Sequence, residues 1–336
     1  MTQKWVKEKE KQIKFHKIDE LLQREKIQKL KTDQVFNGNC LELLKKMPKN
    51  CIDLIVTSPP YADKRKKTYE GIPEKDYVKW FLPISKQLKK VLKSEGSFVL
   101  NIKENAVNGE RSTYVLELIL EMRKQGWLWV EEYAWHKKNS FPGKWPNRFR
   151  DSWERCLHFT KEKKFNMYQE QVMVPMGEWA EDRIKNPAKN DNIRLESKAK
   201  SGLGRQVDNW AKRDMAYPTN VLHLATECGN VNHSAAFPVT LPTWFIKLFT
   251  KEGDTVLDPF IGSGTTGVAA IDLERNFIGI ENNKEYYKVA VKRIKDEKKI
   301  NVEIKKIVSK TGLSKESARK RIYAKKKSDA KKKSKS

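Results

Sequence analysis

A glycine-rich loop between a strand pattern and a helix pattern constrains the fold of this chain more than any other feature. Residues 256–270 read VLDPFIGSGTTGVAA, in which Gly262, Gly264 and Gly267 form a GxGxxG motif. Glycines allow a sharp turn and a close approach of the backbone to a nucleotide, provided that a strand precedes them and a helix follows. Glu281 ends the next strand pattern, where its carboxylate can accept hydrogen bonds from both ribose hydroxyls. The combination predicts a site for an adenosine-containing cofactor.

The glycine motif alone is compatible with several nucleotide cofactors. A P-loop is argued against, because GxxxxGK[ST] requires a lysine and the loop contains none. A nicotinamide cofactor and S-adenosylmethionine (AdoMet) both fit the glycines, and so does a tight strand-to-helix turn without any ligand. The choice between them depends on motifs elsewhere in the chain.

Strand and helix patterns alternate over residues 31–139 and again over residues 226–297. This alternation predicts an α/β fold with a mainly parallel sheet. Residues 140–225 break the pattern and are rich in Pro, Asn, Gly, Lys and Arg. A structureless loop of that length is unusual in a compact domain, so we expect an inserted recognition region there. Residues 1–30 predict a charged helical arm.

The C-terminal segment, residues 298–336, has a character of its own. Two short helical patterns flank Gly312, and Ser314 is placed to cap the second helix. This spacing is typical of a helix-turn-helix, although a basic pair of amphipathic helices that reads no sequence fits it as well. We expect the Lys-rich terminus to be disordered.

The charge of the chain indicates a polyanionic partner. Lys and Arg number 69 against 43 Asp and Glu, which gives a net charge of +26. The terminal stretch AKKKSDAKKKSKS holds +6 of it, so the remainder still carries +20. Nucleic acid is the expected partner of so basic a body, although a general lysine bias would give the same sum.

Composition also bears on the cellular location. Four dispersed cysteines without a CxxC pair fit a reduced cytoplasm and predict neither a zinc site nor a redox dithiol. No apolar run approaches the length of about 20 residues that a membrane helix needs, and the N-terminus lacks the apolar core of a signal peptide. We therefore expect a cytoplasmic protein with no membrane contact.

A second motif lies where a buried strand is predicted to end. Residues 52–61 read IDLIVTSPPY, an apolar run without alternation that stops at two prolines and an aromatic ring. Such a run is expected for a strand covered on both faces. The tripeptide Ser-Pro-Pro also occurs in ordinary loops, so this motif needs the support of others.

Taken together, Ser58-Pro59-Pro60-Tyr61, the irregular region after it and the later Asp258-Pro259-Phe260-x-Gly262-x-Gly264 resemble the permuted β group of DNA amino-methyltransferases. That group has the order catalytic half, target-recognition region and AdoMet-binding half, and the resemblance covers about residues 31–297. It implies a Rossmann-like, mainly parallel sheet with circularly permuted motifs. It also implies AdoMet as methyl donor, no metal, and a prokaryotic protein associated with the nucleoid.

The resemblance implies roles for individual residues. Asn39 stands where the family usually has an aspartate that contacts the adenine, and it can still accept a hydrogen bond, although without charge. The catalytic residues would be Ser58, Pro59, Pro60 and Tyr61. The cofactor-binding residues would be Asn39, Ala236, Phe237, Asp258, Phe260, Gly262, Gly264 and Glu281.

The Ser-Pro-Pro-Tyr motif suits methylation of an exocyclic amine. The amine lone pair is delocalised into the base, and acceptors on its protons, the Ser58 hydroxyl oxygen and the Pro59 carbonyl, would pull the nitrogen toward sp³. Tyr61 would stack on a base flipped out of the duplex. In the family, serine at the first position usually accompanies cytosine N4 and aspartate adenine N6, so we expect cytosine N4, with adenine N6 as the alternative. Cytosine C5 is argued against, because its methylation needs a cysteine nucleophile, normally in a Pro-Cys pair, and no cysteine of this chain follows a proline.

Basic residues interleaved with aromatics predict the DNA contacts. The candidates are Lys64, Arg65, Lys137, Lys138, Lys144 and Arg148. The expected partners are double-stranded DNA and a cognate restriction endonuclease, in function if not in contact. A monomer and a homodimer are both compatible with the sequence.

Overall fold

The computed structural model describes residues 25–63, 71–107, 109–140, 143, 147–177, 186, 214–226 and 237–333, with the side chains of 107 and 326–333 excepted. The chain divides into two compact units. One comprises Met1–Met167 with Val221–Ser336, and the other comprises Tyr168–Asn220. Asn39, the catalytic motif and the later glycine motif all lie in the first unit.

The first unit is built on an eight-stranded sheet. Its strands are β1 (Gln34–Asn37), β2 (Ile52–Thr57), β3 (Leu92–Ile102), β4 (Leu128–Lys137), β5 (Trp153–Thr160), β6 (Val221–Leu224), β7 (Thr255–Asp258) and β8 (Asn276–Glu281). Their spatial order is β1-β8-β7-β2-β3-β5-β4-β6. Strands from the two ends of the chain therefore lie side by side in the centre.

The sheet is mainly parallel, as predicted. Neighbours from β1 to β3 are parallel, and so are β4 and β6, whereas β5 is antiparallel to both of its neighbours. β5 returns directly from β4 as a hairpin and fills the place between β4 and β3. Its N-terminal end therefore lies at the same sheet edge as the carboxyl end of β3.

Seven helices follow these strands in the described part of the chain. They are α1 (Cys40–Lys46), α2 (Glu74–Val91), α3 (Tyr114–Lys124), α4 (Thr240–Phe249), α5 (Thr265–Asp272), α6 (Lys284–Thr311) and α7 (Lys315–Lys333). Residues 25–28 are also helical, and Ile27 in this turn is fully buried in the main core. None of the described helices is long and apolar enough to cross a membrane.

The core explains why β2 reads as an unbroken apolar run. All six residues of β2 are buried, and Ile52, Leu54 and Ile55 have no exposed surface. β2 lies between β7 and β3, so helices cover it on both faces, as is general for central parallel strands. The prediction of a strand covered on both faces is confirmed.

The region predicted as an insert, residues 140–225, is divided between the two units. Trp153–Thr160 and Val221–Leu224 are strands of the main sheet, and the second compact unit is the narrower Tyr168–Asn220. Within it, the 3₁₀ helix Gln169–Val172 and an antiparallel pair of two-residue strands, Val174–Pro175 and Met215–Ala216, are described. β5 was not predicted as a strand, because polar and proline-rich residues directly precede its apolar half.

The start of the C-terminal segment at residue 298, as predicted from the sequence, does not coincide with the end of a helix in the structure. α6 runs for 28 residues without a break through residue 298, where the sequence pattern predicts a domain boundary. Gly312 ends α6 in the left-handed conformation, with φ of 66°, and Ser314 accepts a hydrogen bond from the Ser317 backbone N–H at 3.2 Å as the predicted cap. The turn is therefore predicted correctly, whereas the long helix before it is not.

Close packing around β8 leads to a stability prediction. A Cβ atom on Gly279 would lie 2.4 Å from Ile261 Cδ1 and 3.1 Å from its Cγ2. We expect Gly279→Ala to lower the free energy of unfolding by about 1–3 kcal/mol through overpacking, measured by chemical denaturation. Gly177→Ala is the control, because a Cβ there meets nothing within 4 Å. Equal stability of the two variants would contradict the packing described.

Candidate active site

The two sequence motifs lie next to each other at the carboxyl end of the sheet. β2 pairs in parallel with β7 through Leu54 with Val256 and Ile55 with Leu257. The Ser-Pro-Pro-Tyr motif leaves the end of β2, and the glycine loop leaves the end of β7. The crevice outside the carboxyl ends of central strands is where open α/β sheets bind ligands. The fold thus joins motifs that lie about 200 residues apart in the chain.

A buried carboxylate ties the two motifs together. Asp258 accepts hydrogen bonds from the Thr57 hydroxyl at 2.6 Å and from the Phe260 backbone N–H at 3.0 Å through one oxygen. Its other oxygen accepts from the Thr266 hydroxyl at 2.6 Å. Burial raises the pKa of Asp258 to about 6, and these hydrogen bonds oppose that shift. Since both oxygens are engaged within the protein, Asp258 positions the loops, and its predicted direct contact with a cofactor stays a prediction.

The glycine loop has the backbone conformation that the motif requires. Gly262 and Gly264 have φ of 54° and 91°, and Gly264 is the N-cap of α5. A Cβ on Gly264 would lie 3.2 Å from the Ala290 Cα, so α6 approaches the loop too closely for a larger residue. Both positions favour glycine because of their positive φ, and Gly264 needs it for lack of space as well.

Glu281 lies at the end of β8 with its carboxylate directed to the glycine loop. Its oxygens accept hydrogen bonds from the Gly262 backbone N–H at 3.0 Å and from the Asn283 backbone N–H at 2.7 Å. The residue is only 4% exposed. A fixed carboxylate beside a glycine cradle is the acceptor set that an adenosine ribose needs, so these residues fit the predicted cofactor.

Asn39 has a structural task that its sequence context did not reveal. Its side-chain oxygen caps α1, accepting from the Leu41 N–H at 2.9 Å and from the Glu42 N–H at 3.4 Å. An amide oxygen committed to a helix N-terminus is a weaker acceptor for another group. If Asn39 contacts an adenine, its amide NH₂ is the better-placed group.

The catalytic motif is held by a hydrogen-bond network around Tyr61. The Tyr61 hydroxyl donates to Glu154 Oε2 at 2.7 Å and lies 3.2 Å from the Asn101 side-chain oxygen. Ser58 Oγ donates to the Tyr61 hydroxyl at 3.3 Å. Burial, followed by the charge of Glu154, raises the pKa of Tyr61 well above its usual value. Tyr61 is therefore a neutral, fixed donor.

Lys137 belongs to this network. Its ammonium group lies 2.5 Å from Glu154 Oε1, and the two side chains are only 20% and 10% exposed. The ammonium also lies 5.3 Å from the centroid of the Trp135 ring. The ion pair occupies one carboxylate oxygen of Glu154, and the Tyr61 hydroxyl donates to the other. Lys137 was predicted to bind DNA; the structure shows it in an ion pair within the protein, and its DNA contact stays a prediction.

The aromatic residues of the predicted cofactor pocket are partly described. Phe260 is half-buried, packs against the main core and lies 5.8 Å from Trp80, centroid to centroid. Phe237 is half-buried shortly before α4, and Ala236 lies outside the described residues. Pro59 is buried, whereas Pro60 is half-buried.

Of the other DNA-binding candidates, two lie within the described residues and three do not. Lys138 is exposed directly after β4. Arg148 is exposed, with an Nη atom 3.9 Å from the Asp151 carboxylate. Lys64, Arg65 and Lys144 lie outside the described residues. Their roles stay predictions.

Glu154 and Asn101 were absent from the sequence-based candidates. Neither lies in a recognisable motif, and they meet only because β5 is antiparallel to β3, with Asn101 opposite Cys156. The only signal was indirect, namely an isolated Glu154 before the buried run CLHFT. Among the described residues, no group of three or more His, Cys, Asp or Glu side chains is arranged to hold a metal.

Comparison with protein families identifies the class to which this site belongs. The DNA methylase family model (N6_N4_Mtase) matches residues 52–292, which includes both motifs and most of the sheet. The chain belongs to this family.

Individual relatives support the assignment. The type II methyltransferase M.PvuII of Proteus hauseri is 29% identical over 284 residues, which are 78% of this chain and 83% of the relative. M.BglII of Bacillus subtilis is 29% identical over 267 residues, and the match covers 77% of this chain and 68% of the relative. The solved PvuII DNA methyltransferase, described as cytosine-N4-specific, has 26% identity and a TM-score of 0.58, covering 79% of this chain and 91% of the other. The mixed, mainly parallel α/β architecture is thus shared.

The hydrogen-bond network around Tyr61 predicts that removal of the Tyr61 hydroxyl lowers turnover much more than AdoMet affinity. Tyr61→Phe keeps the ring but removes the hydroxyl that joins Ser58 to Glu154. We expect methyl transfer from tritiated AdoMet into unmethylated DNA to fall about 10-fold to 100-fold, because the loop loses its orientation. AdoMet affinity should change less than about twofold.

Tyr114→Phe is the matched control for this prediction. It also removes a tyrosine hydroxyl from the protein interior, one that donates to the Lys103 carbonyl at 2.6 Å outside the motif. Methyl transfer by this variant should stay near the wild-type rate. If both variants lost activity in proportion to their stability, the Tyr61 hydroxyl would have only a structural role.

Proposed function

We propose that the chain is a site-specific DNA methyltransferase that transfers a methyl group from AdoMet to the N4 amine of a flipped cytosine. The observation that carries the proposal is the junction of the two motifs, in which Asp258 binds Thr57 and Thr266 across adjacent strands. This junction supports a site in which the acceptors of an amine would lie beside a nucleotide pocket. Membership of the DNA methylase family supplies the reaction class.

The cofactor proposal rests on the glycine loop and Glu281. AdoMet supplies an electrophilic methyl group on a sulfonium when it is bound. Glu281 would accept the ribose hydroxyls, and Gly262 and Gly264 would admit the cofactor close to the backbone. Phe260 and Phe237 would line the pocket with apolar surface.

The direction of the hydrogen bonds suits Ser58 for its proposed task. The Glu154 carboxylate accepts from the Tyr61 hydroxyl, which in turn accepts from Ser58. The Ser58 oxygen then presents its lone pairs rather than its proton to an incoming amine. Lys137 supports this arrangement by pairing with the other carboxylate oxygen of Glu154.

The target amine would be held by two acceptors. The Ser58 oxygen and the Pro59 carbonyl each accept one amine proton, which draws the nitrogen lone pair out of conjugation with the base. Proline fixes the loop that carries them, because its φ is restricted. The Tyr61 ring, held by its hydroxyl, offers a face on which a flipped base can stack. Most of the rate then comes from orientation and preorganised electrostatics.

The choice of cytosine N4 rests on two supports. Ser58 stands where adenine-N6 enzymes of the group usually carry aspartate. The similar PvuII enzyme is described as cytosine-N4-specific. Adenine N6 is the alternative product.

The biological setting is proposed from the relatives. The similar chains are type II methyltransferases. We place this protein as the modification enzyme of a restriction–modification system in a prokaryotic cytoplasm, with double-stranded DNA as substrate and a cognate nuclease as functional partner. Residues Tyr168–Asn220 are the centre of the proposed target-recognition region.

Product identification tests the proposal directly. The chain is expressed in a host that lacks DNA methylation, and the genomic DNA is sequenced by a method that distinguishes modified bases. We expect N4-methylcytosine within one short sequence. N6-methyladenine as the sole product would overturn the base assignment, and unmodified DNA with folded, AdoMet-binding protein would overturn the function.

A substitution at Ser58 tests the mechanism. Ser58→Ala removes one amine acceptor, so we expect turnover to fall about 100-fold while AdoMet affinity stays within about twofold. Ser58→Thr, which keeps the hydroxyl, should restore a substantial part of the rate. Equal losses in turnover and AdoMet affinity would mean that Ser58 only shapes the loop.

A further inference from the structure

The loop that leads into β5 exposes a phenylalanine to solvent. We refer to residues 147–151 as the Phe149 loop. Phe149 is 97% exposed, the highest value among the exposed large apolar residues that the structure describes, and Arg148 and Arg150 flank it. Single apolar residues are common at protein surfaces, so exposure alone does not indicate a ligand. What Phe149 can do depends on where its loop is held.

A short antiparallel ladder connects this part of the molecule to the catalytic motif. The ladder pairs Ala106–Val107 with Glu110–Arg111, shortly after β3 ends at Ile102. Directly before the ladder, the Asn105 side-chain amide donates to the Ala62 carbonyl at 2.9 Å. Ala62 follows the Ser-Pro-Pro-Tyr motif in the chain and is fully buried. The start of the ladder is therefore fixed to the loop that carries the proposed amine acceptors.

The two ends of the Phe149 loop both contact this ladder. At one end, Asn147 Nδ2 lies 3.9 Å from the position that a Cβ atom on Gly109 would take, between the two strands of the ladder. At the other end, Asp151 accepts a hydrogen bond from Arg111 at 2.8 Å. The aromatic ring lies midway between these two contacts. It is therefore carried by a loop that is held on both sides.

A second set of contacts joins the same loop to the network around Glu154. The Ser152 carbonyl accepts from the Lys137 backbone N–H at 2.7 Å, and the Lys137 ammonium pairs with Glu154. Glu154 in turn accepts from the Tyr61 hydroxyl. Phe149 precedes Glu154 by five residues, a span of at most about 18 Å in an extended chain. Phe149 is thus exposed at the sheet edge from which a flipped base would enter the site.

Positive charge surrounds the exposed ring. Asp151 is the only acid of the loop, and it lies 2.8 Å from Arg111 and 3.6 Å from Lys103, so cations from outside the loop offset its charge. Arg148 lies 3.9 Å from the same carboxylate, and both Arg148 and Arg150 are exposed. Arginines contact phosphates, and a phenylalanine can enter between base steps. The loop therefore has the chemistry to contact a DNA duplex and unstack it.

We propose that Phe149 enters the base stack beside the target base and fills the space that the flipped base leaves. Extrusion removes the stacking contacts of the target base, and an inserted apolar side chain replaces part of them. Arg148 and Arg150 contact the flanking phosphates, which fixes the position of the ring along the duplex. Phe149 is a positioning residue, because it acts on the duplex while Ser58 and Pro59 hold the amine. The proposal rests on the proposed methylation of a flipped base.

Two duplexes test the proposal. Both contain the sequence that the chain modifies, as identified by sequencing of the modified DNA, and in one of them the target base faces a mismatched partner. For Phe149→Ala, we expect single-turnover methyl transfer into the paired duplex to fall about 10-fold to 100-fold relative to wild type. On the mismatched duplex the loss should be less than about threefold, because an unpaired base costs less to extrude.

Two further variants serve as controls. Phe149→Leu keeps an apolar side chain that can enter a base step, so it should retain at least about a third of the wild-type rate on the paired duplex. Met167→Ala also shortens an exposed apolar side chain, but it lies beside Asn166, whose N–H donates to the Glu95 carbonyl near the amino end of β3. That is the opposite sheet edge, and both rates should stay at the wild-type value. AdoMet affinity and thermal unfolding check that each variant is folded.

The outcomes separate this proposal from the methyltransferase assignment. A loss in Phe149→Ala that the mismatch restores supports insertion into the base stack. Equal losses on both duplexes would mean that Phe149 acts in a step other than base extrusion, and wild-type rates on both would mean that it has no role; either result overturns the proposal. Each of these results is obtained with active wild-type protein and leaves the proposed function intact. Wild-type protein that transfers no methyl group into DNA overturns that function itself.

Discussion

The buried carboxylate of Asp258 is the contact on which the site depends. It receives hydroxyl groups from Thr57, at the end of β2, and from Thr266, at the start of α5. A buried carboxylate without these donors would cost several kcal/mol of desolvation, so the two loops must stay in register for the group to be tolerated. The same interaction that satisfies the acid thereby sets the spacing between the amine acceptors and the cofactor loop.

A second buried acid, Glu154, performs the corresponding task on the other side of the pocket. Because Lys137 and the Tyr61 hydroxyl occupy its two oxygens, the acid is satisfied without water, and the hydrogen-bond direction is imposed on Ser58. A serine in this position needs such help, since a hydroxyl can either donate or accept, whereas an aspartate can only accept. The network thus gives a neutral serine the acceptor character that the reaction requires.

The sequence predicted those parts of the site that depend on local backbone geometry. The strand before Ser58, the left-handed glycines and the carboxylate of Glu281 are local or follow a known strand–loop–helix order. Glu154 and Asn101 could not be predicted, because their meeting depends on an antiparallel pairing between strands about 50 residues apart. The ion pair of Lys137 could not be predicted for the same reason, because its partner Glu154 lies on the neighbouring strand.

The two C-terminal helices, α6 and α7, show the same limit on a larger scale. The turn between them at Gly312 was predictable, whereas Asp272, the acid that binds Arg319, lies at the end of α5 and is far from Arg319 in sequence. Arg319 is held within the protein by Asp272, Glu297 and Asn301, although its neighbours in sequence are mostly basic. Which cations of a basic helix are used for folding therefore depends on tertiary contacts that the local sequence does not contain.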